Sequence, residues 1–214
     1  MESRTDQQFV RIPADSVTLE GILTLPQKAI GVVIFAHGSG SSRHSPRNNF
    51  VAEVLQGAGL GTLLFDLLTE EEDKIYENRF DIALLTNRLK AATLWLKRQS
   101  QLKNRPLGYF GASTGVAAAL EAAAELGKII KAIVSRGGRP DLAKEALIRV
   151  QTPTLLIVGG NDEGVIKLNK GAFELLKGEK ELKIIPGASH LFEEPGTLEE
   201  VAKLATEWFR RYLL

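Results

Sequence analysis

Cysteine is absent from all 214 residues. That excludes a thiolate nucleophile, a thiolate metal site and any disulfide, and it leads to the expectation of a cytoplasmic protein. An excess of charge is missing too: 27 Lys and Arg stand against 26 Asp and Glu, a formal net charge of +1, with no long basic stripe. Binding a phosphate backbone needs concentrated positive charge, so nucleic acid is not an expected partner. The longest apolar stretch, around AIGVVIFA (29–36), is far too short to span a bilayer, and no membrane association is expected. The opening MESRTDQQFVRIP is polar and lacks the apolar core of a signal peptide. Internal repeats, low-complexity tracts and linkers are lacking as well. With 44% hydrophobic and 25% charged residues, the chain reads as one globular domain over 1–214. Its oligomeric state is not legible.

Short apolar runs punctuate the chain. SVTLEGILTLP (16–26) alternates enough for an early strand, with FVRI (9–12) as an edge partner. GVVIFA (31–36), LGTLLFD (60–66), LGYFG (107–111), KAIVS (131–135) and TLLIVGG (154–160) have the continuous apolar character of strands covered on both faces, and ELKIIP (181–186) is a last strand. Helical patterns fall between them. FVAEVLQGAG (50–59) is the first, and Ile82, Leu85, Leu89, Ala92 and Leu96 share one face of the second. GVAAALEAAAELG (115–127) ends at a natural glycine stop, and RPDLAKEAL and VIKLNKGAFELLKG follow. A final helix opens on Thr197-Leu-Glu-Glu200, a capping-box pattern. Alternating strands and helices imply an α/β fold, a doubly wound, mostly parallel sheet with helices on both faces. Functional groups in such sheets collect at the carboxyl ends of the strands.

Those ends carry HGSGSSRHSPRN after the 31–36 strand, LLTEEEDKIYENR after LLFD, GASTG after LGYF, RGGRP after KAIVS, NDEG after LLIVGG and SHLFEEPG after the last strand. The pentapeptide G-x-S-x-G alone is weak, since chance places it in roughly one chain of this length in fourteen. Its context is more specific: Ser113, Asp162 and His190 each follow a predicted strand, in that order. The arrangement resembles the α/β-hydrolase fold, and in particular its small, lid-poor dienelactone-hydrolase-like members. The likeness runs from GVVIFAHGSG to the last helix and rests on the nucleophile–acid–histidine order, the strand–turn–helix setting of the serine and the HG-type turn.

The chemistry of the residues agrees with that resemblance. A serine on a sharp strand-to-helix turn needs small neighbours, which Gly111, Gly115, Ala112 and Ala117 supply. Its hydroxyl needs a base, for which His190 is the candidate, with Asp162 holding the imidazole. Glu163 and Asp66 are rivals to Asp162, Asp66 reading more readily as a loop-organising carboxylate. Backbone N–H groups of Ser39 and Thr114 are the expected oxyanion donors. His37 reads as structural, fixing the turn that carries Ser39. Arg43 and His44 are candidates for the substrate rim, and Arg136 for holding an anionic substrate group, with surface charge the plainer reading for Arg136 and Arg139. The EEED run (70–73) reads as a solvated, mobile loop, and Trp95 and Trp208 as core. HGSGSS lacks the Lys-Ser/Thr ending of a P-loop, so nucleotide is not expected.

What the resemblance implies is a serine hydrolase for carboxylic esters or lactones, working through an acyl-enzyme on Ser113 without metal or organic cofactor. Only about 18 residues separate KAIVS from TLLIVGG, where relatives insert a lid, so an open site and small-molecule ester substrates are expected. Dienelactone hydrolases proper use a cysteine nucleophile, which this chain lacks, so their particular lactone does not carry over. A catalytically silent binding protein, or an acyltransferase or perhydrolase using the same three residues, are the rival readings.

Overall fold

The computed structural model describes residues 5–214. Eight strands form one sheet: β1 (Thr5–Ala14), β2 (Val17–Pro26), β3 (Val32–Ala36), β4 (Gly61–Phe65), β5 (Leu107–Ala112), β6 (Ile130–Arg136), β7 (Thr154–Gly159) and β8 (Lys180–Ile185). Their spatial order is β1-β2-β4-β3-β5-β6-β7-β8. β1 and β2 make an antiparallel hairpin, β2 runs antiparallel to β4, and the rest of the sheet is parallel. The chain goes from β3 out to β4 and then back over β3 to β5. That reversal leaves a crevice at the carboxyl ends of β3 and β5, where open α/β sheets bind their ligands.

The helices are α1 (Pro46–Gly57), α2 (Glu70–Asp73), α3 (Ile82–Arg98), α4 (Gly115–Leu126), α5 (Lys144–Leu147), α6 (Glu163–Leu175) and α7 (Thr197–Leu213). They lie on both faces. One buried cluster joins alternate residues of the central strands to Leu85, Leu89, Ala92 and Leu96 of α3 and to the alanine-rich α4. The other joins the opposite set to Val51 and Leu55 of α1 and to Val201, Ala205, Trp208 and Phe209 of α7. β3, β4, β5 and β7 are buried throughout because both faces are covered, which is why their sequences read as unbroken apolar runs. Gly108 is needed for one of these contacts: a Cβ there would lie 2.7 Å from Phe209 Cε1, so α7 packs directly on the β5 backbone.

Three local expectations are corrected. α1 begins at Pro46 rather than at residue 50, because Ser45 caps the amide of Asn48 and Pro46 occupies the first turn. The Thr197–Glu200 capping box does not form: Gly196, at φ 82°, is the N-cap, and the Thr197 hydroxyl donates instead to the Glu194 carbonyl at 2.7 Å. The EEED run is a turn of helix. Thr69 and Glu72 make a true capping box there, and Glu72 reaches the buried Arg88 at 2.6 Å.

Candidate active site

Ser113 sits between β5 and α4 at φ 50°, left-handed backbone that a side-chain-bearing residue adopts at a cost of about 1–3 kcal/mol. Three main-chain bonds hold it there. Its N–H donates to the Arg136 carbonyl at 3.3 Å, and its own carbonyl accepts from Arg139 at 3.0 Å and Val116 at 3.3 Å. The flanking glycines are demanded by space. A Cβ on Gly111 would come within 2.6 Å of Val116 Cα, and one on Gly115 within 2.2 Å of the Ala36 carbonyl oxygen. Gly38, in the turn after β3, is confined less severely, since a Cβ there would lie 3.0 Å from Ser113 Cβ. The turn after β3 and the turn after β5 are therefore pressed together, with the Ser113 side chain between them.

Asp162 follows β7 and His190 follows β8. His190 Nδ1 lies 2.6 Å from Asp162 Oδ2, so the carboxylate accepts the Nδ1 proton and leaves Nε2 as the basic nitrogen. The loop bearing His190 is tied at several points. Ser189 N–H donates to Glu194 Oε2 at 2.9 Å, Phe192 turns left-handed at φ 55° with its ring buried, and Asn161 N–H donates to the Ala188 carbonyl at 2.9 Å. The Ser189 amide also holds the half-buried Glu194 carboxyl below the usual carboxylate range. Ser113 and His190 both border the carboxyl end of β6: a Cβ on Gly137 would lie 3.5 Å from His190 Cε1, and Gly137 follows the residue that accepts the Ser113 N–H. Among the described residues no hydrogen bond joins Ser113 Oγ to the imidazole; such contacts commonly tighten only when substrate fills the site.

His37 pins the turn after β3. Its Nε2 accepts from Leu67 N–H at 3.0 Å and its Nδ1–H donates to the Gly38 carbonyl at 2.9 Å, so the ring is held neutral with a defined tautomer. Burial pushes its pKa down from 6.5, outweighing the Gly38 bond and the charges of Asp66 and Asp73. The two expected oxyanion donors differ in state. The Thr114 N–H has no partner among the described residues, whereas the Ser39 N–H, expected to be free, donates to Thr114 Oγ1 at 2.9 Å. The Thr114 hydroxyl therefore takes up the Ser39 N–H that the sequence assigned to an oxyanion.

The structure separates the candidate arginines. Arg43 is spent: its N–H donates to Asp66 Oδ1 at 2.7 Å, its Nη1 contacts Asp66 Oδ2, and its Nη2 reaches Glu20 at 2.8 Å. That is a loop-organising role for Asp66, and it leaves Arg43 already neutralised as a holder of anions. His44 lies with them on the wall of a cavity of about 440 Å³ that His37, Glu20, Asp66 and Glu70 also line. A larger hollow of about 530 Å³ lies elsewhere, outside α3 against Trp95, and is lined by none of Ser113, Asp162 and His190. Arg139 pairs with Asp141 at 2.8 Å. Arg136 is no surface charge: it is 9% exposed, and burial, with the nearby charge of Arg47, pushes its pKa down to about 10. Sequence reasoning missed Glu194, whose part is revealed only by the fold of its loop, and the Asn169 amide, which donates to the Gly138 carbonyl at 3.0 Å beneath the site. Among the described residues, no group of three His, Asp or Glu side chains is arranged to hold a metal ion, and no helix is long and apolar enough to cross a membrane.

This is an α/β-hydrolase fold without a large lid: the 137–153 connection holds only a short turn of helix at Pro140–Ala143 and α5. A lidless α/β serine hydrolase from Xanthomonas campestris superposes with a TM-score of 0.79 at 22% identity, covering 97% of this chain and 95% of that one. The dienelactone hydrolase family model matches residues 19–213, and the chain belongs to that family of hydrolases. A dienelactone hydrolase from Anabaena variabilis is 56% identical with a TM-score of 0.95, over 98% of this chain and 99% of that one. Curated relatives from two strains of Mycobacterium tuberculosis, which bear the provisional name of phosphoribosyl transferase, are 57% identical over 204 residues, 95% of this chain. The chain spans only 46% of their length.

Proposed function

We propose that the chain is a serine hydrolase of carboxylic esters or lactones. The observation that supports this most directly is a serine in left-handed backbone between two sterically required glycines, close to an imidazole whose Nδ1 is held by a carboxylate. With Nδ1–H given to Asp162, Nε2 of His190 accepts the Ser113 proton as Oγ bonds to the substrate carbonyl carbon. The negative charge that forms on the carbonyl oxygen is met by the Thr114 N–H and, across from it, by the Ser39–Thr114 pair. His190 then returns its proton to the departing alcohol, leaving an acyl group on Ser113. Water, deprotonated by the same imidazole, releases the acid and restores the hydroxyl.

The short 137–153 connection supports a preference for small acyl groups, since nothing there roofs the site with apolar surface. Turnover of p-nitrophenyl esters of increasing chain length tests this: acetate and butyrate are expected to outrun octanoate in kcat/KM, and the reverse order would contradict it. Phosphoribosyl transfer names whole proteins of which this chain matches less than half, within a stretch that is itself a dienelactone hydrolase match, so it is not carried over.

A further inference from the structure

The buried and half-buried arginines of the strand-end surface follow a pattern with one exception. Arg43 is matched by Asp66 and Glu20, Arg79 by Asp73, Arg88 by Glu72, and Arg139 by Asp141. Arg136, although nine-tenths buried, has no carboxylate: its side chain enters no ion pair among the described residues, and its Nη1 is buried without a hydrogen-bond partner. A guanidinium withdrawn from water in this way is destabilising unless an anion meets it.

A second arginine deepens the imbalance. Arg47, in the first turn of α1, lies near enough for its charge to act on Arg136. Among the described residues its own Nε is buried without a partner, and its Nη1 reaches Glu193, at 3.3 Å, whose carboxylate is mostly in solvent. The amino end of the 12-residue α1 adds its positive pole to the same place. Ala132 and Val134 of β6 face α1 and α7, so Arg136, two residues further along the strand, projects to that side. Its main-chain carbonyl meanwhile accepts the Ser113 N–H, and Gly137 abuts His190. Both arginines thus belong to the α1–α7 side of the sheet, and Arg136 ends the strand whose main chain holds the nucleophile.

We infer that Arg136 and Arg47 form an oxyanion-binding site next to Ser113, and that the ester acted on carries a carboxylate or phosphate group held there. Guanidinium forks suit either anion, because both present paired oxygens at matching spacing. The placement of the anion on a substrate rests on the hydrolase reading; the anion site itself does not.

Two measurements separate the claims. Calorimetric titration of the full chain with inorganic phosphate and with succinate, at constant ionic strength, is expected to show saturable binding of at least one. That binding should fall at least tenfold in Arg136→Met and measurably in Arg47→Met. Phosphate binding without succinate binding would assign a phosphorylated substrate, the converse a carboxylated one. The kinetic arm compares p-nitrophenyl acetate with the mono-p-nitrophenyl ester of succinate, and the anionic-to-neutral ratio of kcat/KM should drop tenfold or more in Arg136→Met and measurably in Arg47→Met. If acetate is hydrolysed but neither anion binds and the ratio does not change, the anion site is wrong while the hydrolase reading stands. If anions bind but no ester is turned over, the site stands and the hydrolase reading fails. Should Arg136→Met not fold, Arg47→Met decides alone, since its side chain lies on another element and is partly in solvent.

Discussion

His37 shows how one buried side chain sets the geometry of its neighbours. Its two nitrogens join the Leu67 amide to the Gly38 carbonyl, and the bond from Leu67 requires an unprotonated Nε2. Protonation would leave the Leu67 N–H facing another donor. Because burial lowers the folded pKa below the ordinary 6.5, the unfolded chain takes up the proton first. The stabilisation is therefore fully present above about pH 6.5 and is lost as the pH falls below it. His37→Gln, which keeps an acceptor but not the ring, should flatten stability against pH below about 6.5 in urea titrations, relative to the parent; an unchanged slope would contradict this role. Thr114 offers a second residue-scale test. Thr114→Val removes the hydroxyl that receives the Ser39 N–H and should lower kcat about tenfold, while Thr114→Ser should keep most of it. Equal activity in both variants would show that the hydroxyl has no part in the site. At Asp162, replacement by Asn should cost on the order of 10³–10⁴ in kcat, because the amide imposes the wrong imidazole tautomer.

At the scale of elements, the acidic segment after β4 is a brace. Glu72 is pulled two ways: burial alone would raise its pKa, but the Thr69 amide and the Arg88 guanidinium together bring it below the usual carboxylate value. Arg88, 6% exposed, also donates to the Ala14 carbonyl at 2.7 Å, so one arginine ties α3 and α2 to the β1–β2 hairpin. Glu72→Ala should destabilise the fold by about 2–3 kcal/mol by leaving that guanidinium underpaired, readable as a lower urea midpoint; a loss under 0.5 kcal/mol would show the tie to be slack. None of this was legible from EEED, which has the composition of a solvated face, because the partner lies sixteen residues away on another helix. The start of α7 misled for the opposite reason. Thr197 and Glu200 have the spacing of a capping box, but the left-handed Gly196 already ends the preceding turn. Strands were easier to read: β3 to β7 are short and apolar because helices cover both faces, and few other arrangements leave that pattern.

For the whole molecule, topology explains why the residues of the candidate site could be named from sequence and their contacts could not. Ser113, Asp162 and His190 each stand just past the carboxyl end of a strand, and β5, β6, β7 and β8 are consecutive neighbours, so chain order maps onto spatial order. The turn carrying Gly38 and Ser39 reaches them because β3 sits directly beside β5. What sequence cannot convey is which charges are satisfied. Arg43 and Arg136 looked alike as strand-end arginines, yet one is locked between two carboxylates and the other is buried with no carboxylate partner among the described residues. Counter-charges come from distant loops, and pairing depends on side-chain directions that periodicity does not encode. The central claim is that this arrangement makes Ser113 an activated nucleophile, and intact mass after fluorophosphonate treatment of the parent protein and Ser113→Ala tests it most directly. The account predicts one adduct on the parent and none on the variant; a folded parent that stays unlabelled, or a variant that labels equally, would contradict it.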